Sequence, residues 1–118
     1  MYEVKYNSRA DADLIEIADY IAEESMSLDI ALDVVSKMRK RIGNRLGIFP
    51  LSGKVEDIIA GVEYRKIIIG KYSIIYKMVD INDDEVVMVT NVIHGAREDS
   101  KDIIKFARHW LHDAIFPL

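Results

Sequence analysis

The side chains in this sequence best suited to chemistry form a basic and aromatic set: Arg65, Lys66, Lys71, Tyr72, Tyr76, His94 and Arg97. Cleavage of a phosphodiester by its own 2′-hydroxyl needs cations on the charge that grows at phosphorus and two groups that move protons. Arg65 and Arg97 are candidates for the first task, and His94 with a tyrosine for the second. The same residue types also serve structure. A histidine at the end of a strand commonly makes an ordinary hydrogen bond, and a tyrosine pair on one strand face packs in a core. On residue type alone, the structural role is the stronger one for His94 and for at least one of Tyr72 and Tyr76.

Other chemistries lack their residues. The chain has no cysteine, which removes disulfides and thiolate nucleophiles. Gly61, Gly70 and Gly95 stand singly, so no glycine-rich phosphate loop is present, and neither a nucleophile elbow nor an HExxH pair occurs. His109 and His112 have the i,i+3 spacing of one helix face, but two ligands rarely make a metal site without a third. The expectation is no metal and no cofactor.

These residues must be held by one domain, since 118 residues build a single core of two layers. Tyr2 to Tyr6 alternates with period two and reads as a short strand. Ser8, with Asp11 three residues on, suggests the start of an amphipathic helix over about 9–25. Its apolar stripe is Leu14, Ile17, Ala18 and Ile21, and its solvated face is Asp13, Glu16, Asp19 and Glu23. Ser27 reads as the N-cap of a second helix carrying Ala31, Val34, Val35, Met38 and Ile42, which ends at Phe49-Pro50. The two form an antiparallel hairpin. Leu51 to Gly61 shows no firm period and reads as a loop with a short turn near Val55 to Ile59.

A three-stranded meander follows: Tyr64–Ile69, a Gly70-Lys71 turn, Tyr72–Val79, a polar turn at Asp80–Asp84, and Glu85–Ile93. Its strands are apolar on both faces, with Ile67, Ile69, Ile74, Val86 and Met88 on parities opposite to Ile68, Ile75, Val87 and Val89. A sheet with one wet face would alternate more cleanly, so a C-terminal helix or a partner protein must cover the second face. Ile103, Ala107, Trp110, Leu111 and Ala114 fall on one face of such a helix. The expected fold is α+β: a helix hairpin on a mainly antiparallel four-stranded sheet, with a core over 1–98 and a helical extension over 99–118.

Charge is segregated. Arg9 to Glu24 holds one basic and six acidic residues, whereas Lys37 to Arg45 holds five basic residues and no acid. The total is −4, and nucleic-acid binders usually carry a basic total as well as a basic patch. No apolar run approaches the roughly 20 residues of a membrane span. The N-terminus shows no secretory pattern, so a cytoplasmic location is the default expectation.

The order of elements, the Phe49-Pro50 end of the hairpin, Tyr64-Arg65, Tyr72-Ser73-Ile74-Ile75-Tyr76, and Val92-Ile93-His94-Gly95-Ala96-Arg97-Glu98 together resemble the RelE/ParE toxin superfamily from Tyr2 to about Glu98. The resemblance implies a toxin encoded with an antitoxin whose flexible segment wraps it. Two target classes are implied: the ribosome, with cleavage of bound messenger RNA, and DNA gyrase, without nuclease activity. The His-Gly-Ala-Arg-Glu ending is more similar to the ParE branch, and the acidic total agrees, because a ribosome-dependent nuclease is expected to be basic. By the resemblance, Arg65 matches the strand arginine that ribonuclease members set on the scissile phosphate, and His94 and Arg97 match the end of the last strand. Tyr72 and Tyr76 match a shared aromatic strand whose role is often structural, while Lys66 and Lys71 are the lysines beside Arg65. The expected function is gyrase inhibition by binding. Alternatives are a RelE-like ribosome-dependent endoribonuclease and a toxin-derived binding module without toxicity. The expected partners are an antitoxin and either gyrase or the ribosome, with room for a homodimer.

Overall fold

The computed structural model describes residues 1–95. Their element order is β1 (Val4–Tyr6), α1 (Ser8–Ser25), α2 (Leu28–Ile48), β2 (Lys54–Ile59), β3 (Val62–Ile69), β4 (Tyr72–Ile81) and β5 (Asp84–His94). The helix expected after Glu98, and Arg97, His109 and His112 with it, lie outside the described residues.

The α1–α2 hairpin forms as its apolar spacing requires. The Ser27 hydroxyl accepts from the Ile30 N–H at 3.2 Å and caps α2. The cap of α1 is Asn7 rather than Ser8: its carboxamide oxygen accepts from the Ala10 N–H at 2.8 Å. Asn7 also donates its own N–H to the Val89 carbonyl, so the residue that follows β1 both continues its bonding to β5 and starts the helix.

The sheet has five strands in the order β1-β5-β4-β3-β2, one more than the sequence suggested. The additional strand is β2, in the stretch read as a loop. It pairs antiparallel with β3, with a register shift between Val55 and Asp57. That bulge breaks period two within Lys-Val-Glu-Asp-Ile-Ile, which is why no strand pattern is visible there. The tight turns carry positive φ at Ala60-Gly61, Gly70 and Asn82-Asp83, and glycine, asparagine and aspartate are the residues that tolerate it best. Strand β1 lies parallel to β5, and the other pairs are antiparallel.

The core lies between the hairpin and one face of the sheet. Leu14 and Ile17 from α1 and Met38, Ile42 and Leu46 from α2 meet Ile67, Ile69, Ile74, Tyr76, Val87, Val89 and Val92. Ile67, Ile69 and Ile74 thus share a face with Val87 and Val89, not with Val86 and Met88 as parity alone suggested. A second register shift explains how Val92 joins them: Ile75 pairs with Asn91 but Tyr76 with Val89, leaving Thr90 as the additional residue. The Thr90 hydroxyl donates to the Ile75 carbonyl at 3.3 Å. The expected two-sided apolar character is present, since Tyr64 and Ile75 are buried on the opposite face with Ile59, Val62 and Ile93 against them.

Candidate functional site

The residues proposed for chemistry divide between the middle and the start of β4. In the middle, Arg65 on β3 is opposite Tyr76. The Arg65 guanidinium donates to the carbonyls of Gly53 at 2.9 Å and Leu51 at 3.3 Å, and pairs with Glu63 at 2.9 Å. Its side chain is only 17% exposed. The Tyr76 hydroxyl, fully buried, accepts from the Gly53 N–H at 2.9 Å, and burial pushes its pKa up. Both residues therefore hold the connection between α2 and β2. Gly53 makes this possible by lacking a Cβ, which would come within 2.5 Å of the Tyr76 hydroxyl and 2.8 Å of the Lys66 carbonyl.

Lys66 points to the opposite face, where it pairs with Glu56 at 3.3 Å with both side chains 10% exposed. Nearby, Lys77 lies 5.3 Å from the Tyr64 ring centroid and donates to its hydroxyl at 3.3 Å. Lys71 is exposed in the β3–β4 turn, and its carbonyl accepts from Gly95.

At the start of β4, Tyr72 is opposite His94 on β5, and their rings meet edge to face with centroids 5.3 Å apart. Four residues of strand and two strand spacings separate Arg65 from His94, on the order of 16 Å by standard sheet dimensions. The structure therefore brings Tyr72 and His94 together and leaves Arg65, Tyr76 and Lys66 apart from them.

Tyr72 and His94 line a cleft of about 520 Å³ whose other wall is α1, through Arg9, Asp13, Glu16, Ile17 and Tyr20. The cleft exists because β1 pairs with β5 only as far as Val89. Beyond that point α1 runs beside the strand instead. Asp13 seals part of the gap: its carboxylate accepts from the Val92 N–H at 2.9 Å and pairs with Arg9 at 3.1 Å. Burial raises the Asp13 pKa, opposed by the Val92 hydrogen bond and by Arg9. Asp13 is thus a buried bridge from helix to strand, not part of the solvated face assigned to it from sequence. Its i+4 spacing from Arg9 was a visible signal of the ion pair, but nothing local pointed to Val92, 79 residues away. Tyr20, 60% exposed at the cleft mouth, carried no signal beyond its type.

Among the described residues, no cluster of three or more histidine and acidic side chains could hold a metal, and no helix is long and apolar enough to cross a membrane.

The sequence profile of the ParE toxin of the type II toxin–antitoxin system parDE matches residues 4–109. The chain belongs to the ParE toxin family. A chain in a solved structure of a chromosomal ParDE toxin–antitoxin system from P. aeruginosa shares its fold, with a TM-score of 0.58 and 16% identity over 80% of this chain and 97% of the other. No curated protein sequence matches at a significant level. Membership in the ParE family identifies the α-hairpin on a mostly antiparallel sheet as a toxin scaffold, and a type II toxin implies an antitoxin partner.

Proposed function

We propose that this ParE-family toxin arrests DNA gyrase by binding it in the cytoplasm, without cutting RNA, and that its antitoxin neutralises it by covering exposed apolar surface. The observation that carries the reading is the engagement of Arg65. A guanidinium held by two loop carbonyls and a carboxylate would have to give up those bonds to stabilise a phosphorane. The histidine that would move the proton stands at the far end of the sheet. The net charge of −4 supports the same reading, because ribosomal RNA attracts basic surfaces. Partner binding is supported by Ile15, Tyr20, Met26, Leu28, Ile30 and Leu32, large apolar side chains exposed on the hairpin. Clustered exposed apolar surface marks interaction sites.

The test is expression without the neighbouring gene product, with plasmid supercoiling by purified gyrase and cleavage of ribosome-bound messenger as paired readouts. Supercoiling should fall, and no cleavage should appear for the wild type, Arg65→Ala or His94→Ala. Site-specific cleavage by the wild type that vanishes in either variant would overturn the gyrase reading in favour of a ribonuclease. Failure of both readouts, with unimpaired growth, would leave a binding module that has lost toxicity. Co-expression with the antitoxin should raise solubility and melting temperature by linkage.

A further inference from the structure

The cleft between α1 and the end of β5 has the chemistry of a receptor for one positive charge. Its walls are aromatic and apolar: Tyr72 and His94 meet edge to face, Tyr20 stands near enough that it adds to the effect of burial in raising the Tyr72 pKa, and Ile17 and Val92 form the floor. Aromatic faces attract cations through their quadrupole. Two carboxylates and one guanidinium line the cleft, and the buried Asp13 is already paired with Arg9. The charge left over is that of Glu16, which is exposed and makes no ion pair among the described residues. Asp19, Glu23 and Glu24 continue the negative potential along the same helix. A volume of about 520 Å³ suits one long side chain with its backbone, not a packed helix. Along the cleft, the edge of β5 that faces away from β4 has no strand beside it past Val89 among the described residues. Its Val92 N–H faces α1, and by ladder alternation the His94 backbone faces the same way.

We propose that this cleft receives a single cationic side chain, an arginine or lysine, carried by an extended segment of the antitoxin that passes along the open stretch of β5. The proposal rests on the reading of the chain as one half of a toxin–antitoxin pair and names the chemistry by which that partner is held. Glu16 supplies the counter-charge, the three rings enclose the alkyl stem and face the cation, and the strand edge aligns the segment.

Two measurements on the full chain test it. The first is calorimetric titration of the antitoxin into wild type, Glu16→Gln, Glu16→Lys and Tyr20→Ala, whose changes lie at exposed positions and leave the core intact. Glu16→Lys should weaken binding by more than about tenfold, and Glu16→Gln and Tyr20→Ala by roughly three- to tenfold, as expected for losing a partly desolvated charge or cation–π partner. The second uses N-acetyl-arginine amide as the probe and uncharged N-acetyl-citrulline amide as its control. The arginine probe should shift the ring resonances of Tyr20, Tyr72 and His94, and the citrulline control should not. If the antitoxin binds all four proteins alike and the arginine probe moves no resonance, the cationic cleft is refuted while the toxin–antitoxin reading stands. If no antitoxin binds even the wild type but the arginine probe still shifts the three rings, the partner reading fails and the cation site survives it.

Discussion

Tyr72 and Tyr76 are the same residue type on the same face of the same strand, four positions apart, and they do different work. Tyr76 is fully buried and its hydroxyl anchors the Gly53 N–H beneath the α2–β2 connection. Tyr72 is half-buried at the mouth of a cleft, with its ring against His94. What differs is the neighbour on each side. The chain leaving α2 folds over the middle of β4, with Arg65 tying it down by two carbonyls, while β1 pairs with β5 only as far as Val89 and leaves α1 standing off the strand beside Tyr72 and His94. The region around Tyr76 is closed by hydrogen bonds and the region around Tyr72 is an open cleft. A ParE-like scaffold thus separates the residues that hold it together from those that can recognise something else.

The comparison is broken most directly by truncating the two tyrosines. Tyr76→Ala should cost about 3–5 kcal/mol, the range for removing a buried aromatic ring, whereas Tyr72→Ala should cost about 1 kcal/mol, as at half-exposed positions. Chemical denaturation of both variants decides this, and equal losses would mean that the two regions are not distinct.

Arg65→Ala should come next, at about 1–3 kcal/mol, through lost charged hydrogen bonds to the Gly53 and Leu51 carbonyls and lost packing of the arginine stem. Arg65→Lys should recover only part of that, because one ammonium cannot reproduce a guanidinium fork. Thermal unfolding of both variants measures it, and an Arg65→Ala protein as stable as wild type would show that the loop clamp contributes nothing.

In the cleft, Asp13 makes stability depend on pH. Burial raises its pKa in the folded state, so the folded protein binds this proton more tightly than the unfolded chain does. The stabilisation linked to that proton is fully present below the ordinary aspartate range. It is lost as pH rises through the raised pKa of the folded state. Asp13→Asn removes the titration, so its stability relative to wild type should improve across that window and level off above it. Unfolding curves at a series of acidic pH values give the sign, and a relative change in the opposite direction would mean that the Arg9 and Val92 contacts outweigh desolvation.

The smallest effect is expected at Tyr6, whose ring lies 4.6 Å from the Arg39 guanidinium carbon but whose buried hydroxyl has no hydrogen-bond partner among the described residues. Tyr6→Phe should leave stability within about 0.5 kcal/mol of wild type, because no bond is lost and a desolvated hydroxyl is removed. A larger loss would show that this hydroxyl is satisfied as fully as that of Tyr76.

Much of this architecture is legible in the chain because its signals are local. The apolar stripe Leu14, Ile17 and Ile21, the Ser27 cap and the Phe49-Pro50 stop define the hairpin, and Gly70 and Asn82 mark the turns of the meander. Strand β2 escaped because its bulge disrupts the alternation by which strands are recognised. The cap at Asn7 escaped because Ser8 and Asp11 offer an equally good pattern one residue later. Of the candidate site residues, Tyr72 and His94 meet in the cleft because two antiparallel strands place them opposite each other.

By its periods, turn residues and charge distribution, the sequence alone determined a helix hairpin, a meander apolar on both faces, an acidic first helix and a resemblance to toxin scaffolds. Only the tertiary structure decided what each polar side chain touches: Arg65 on loop carbonyls, Asp13 on a strand amide, Glu16 at a cleft without an ion-pair partner among the described residues. The reason is physical. Periodicity reports which face of an element is apolar, and that depends on neighbours within a turn or two. The partner of a buried charge depends on the register between segments far apart in the chain. In β5 that register is reset by one additional residue, Thr90, which brings Val92 onto the face of Val87 and Val89 and within reach of Asp13.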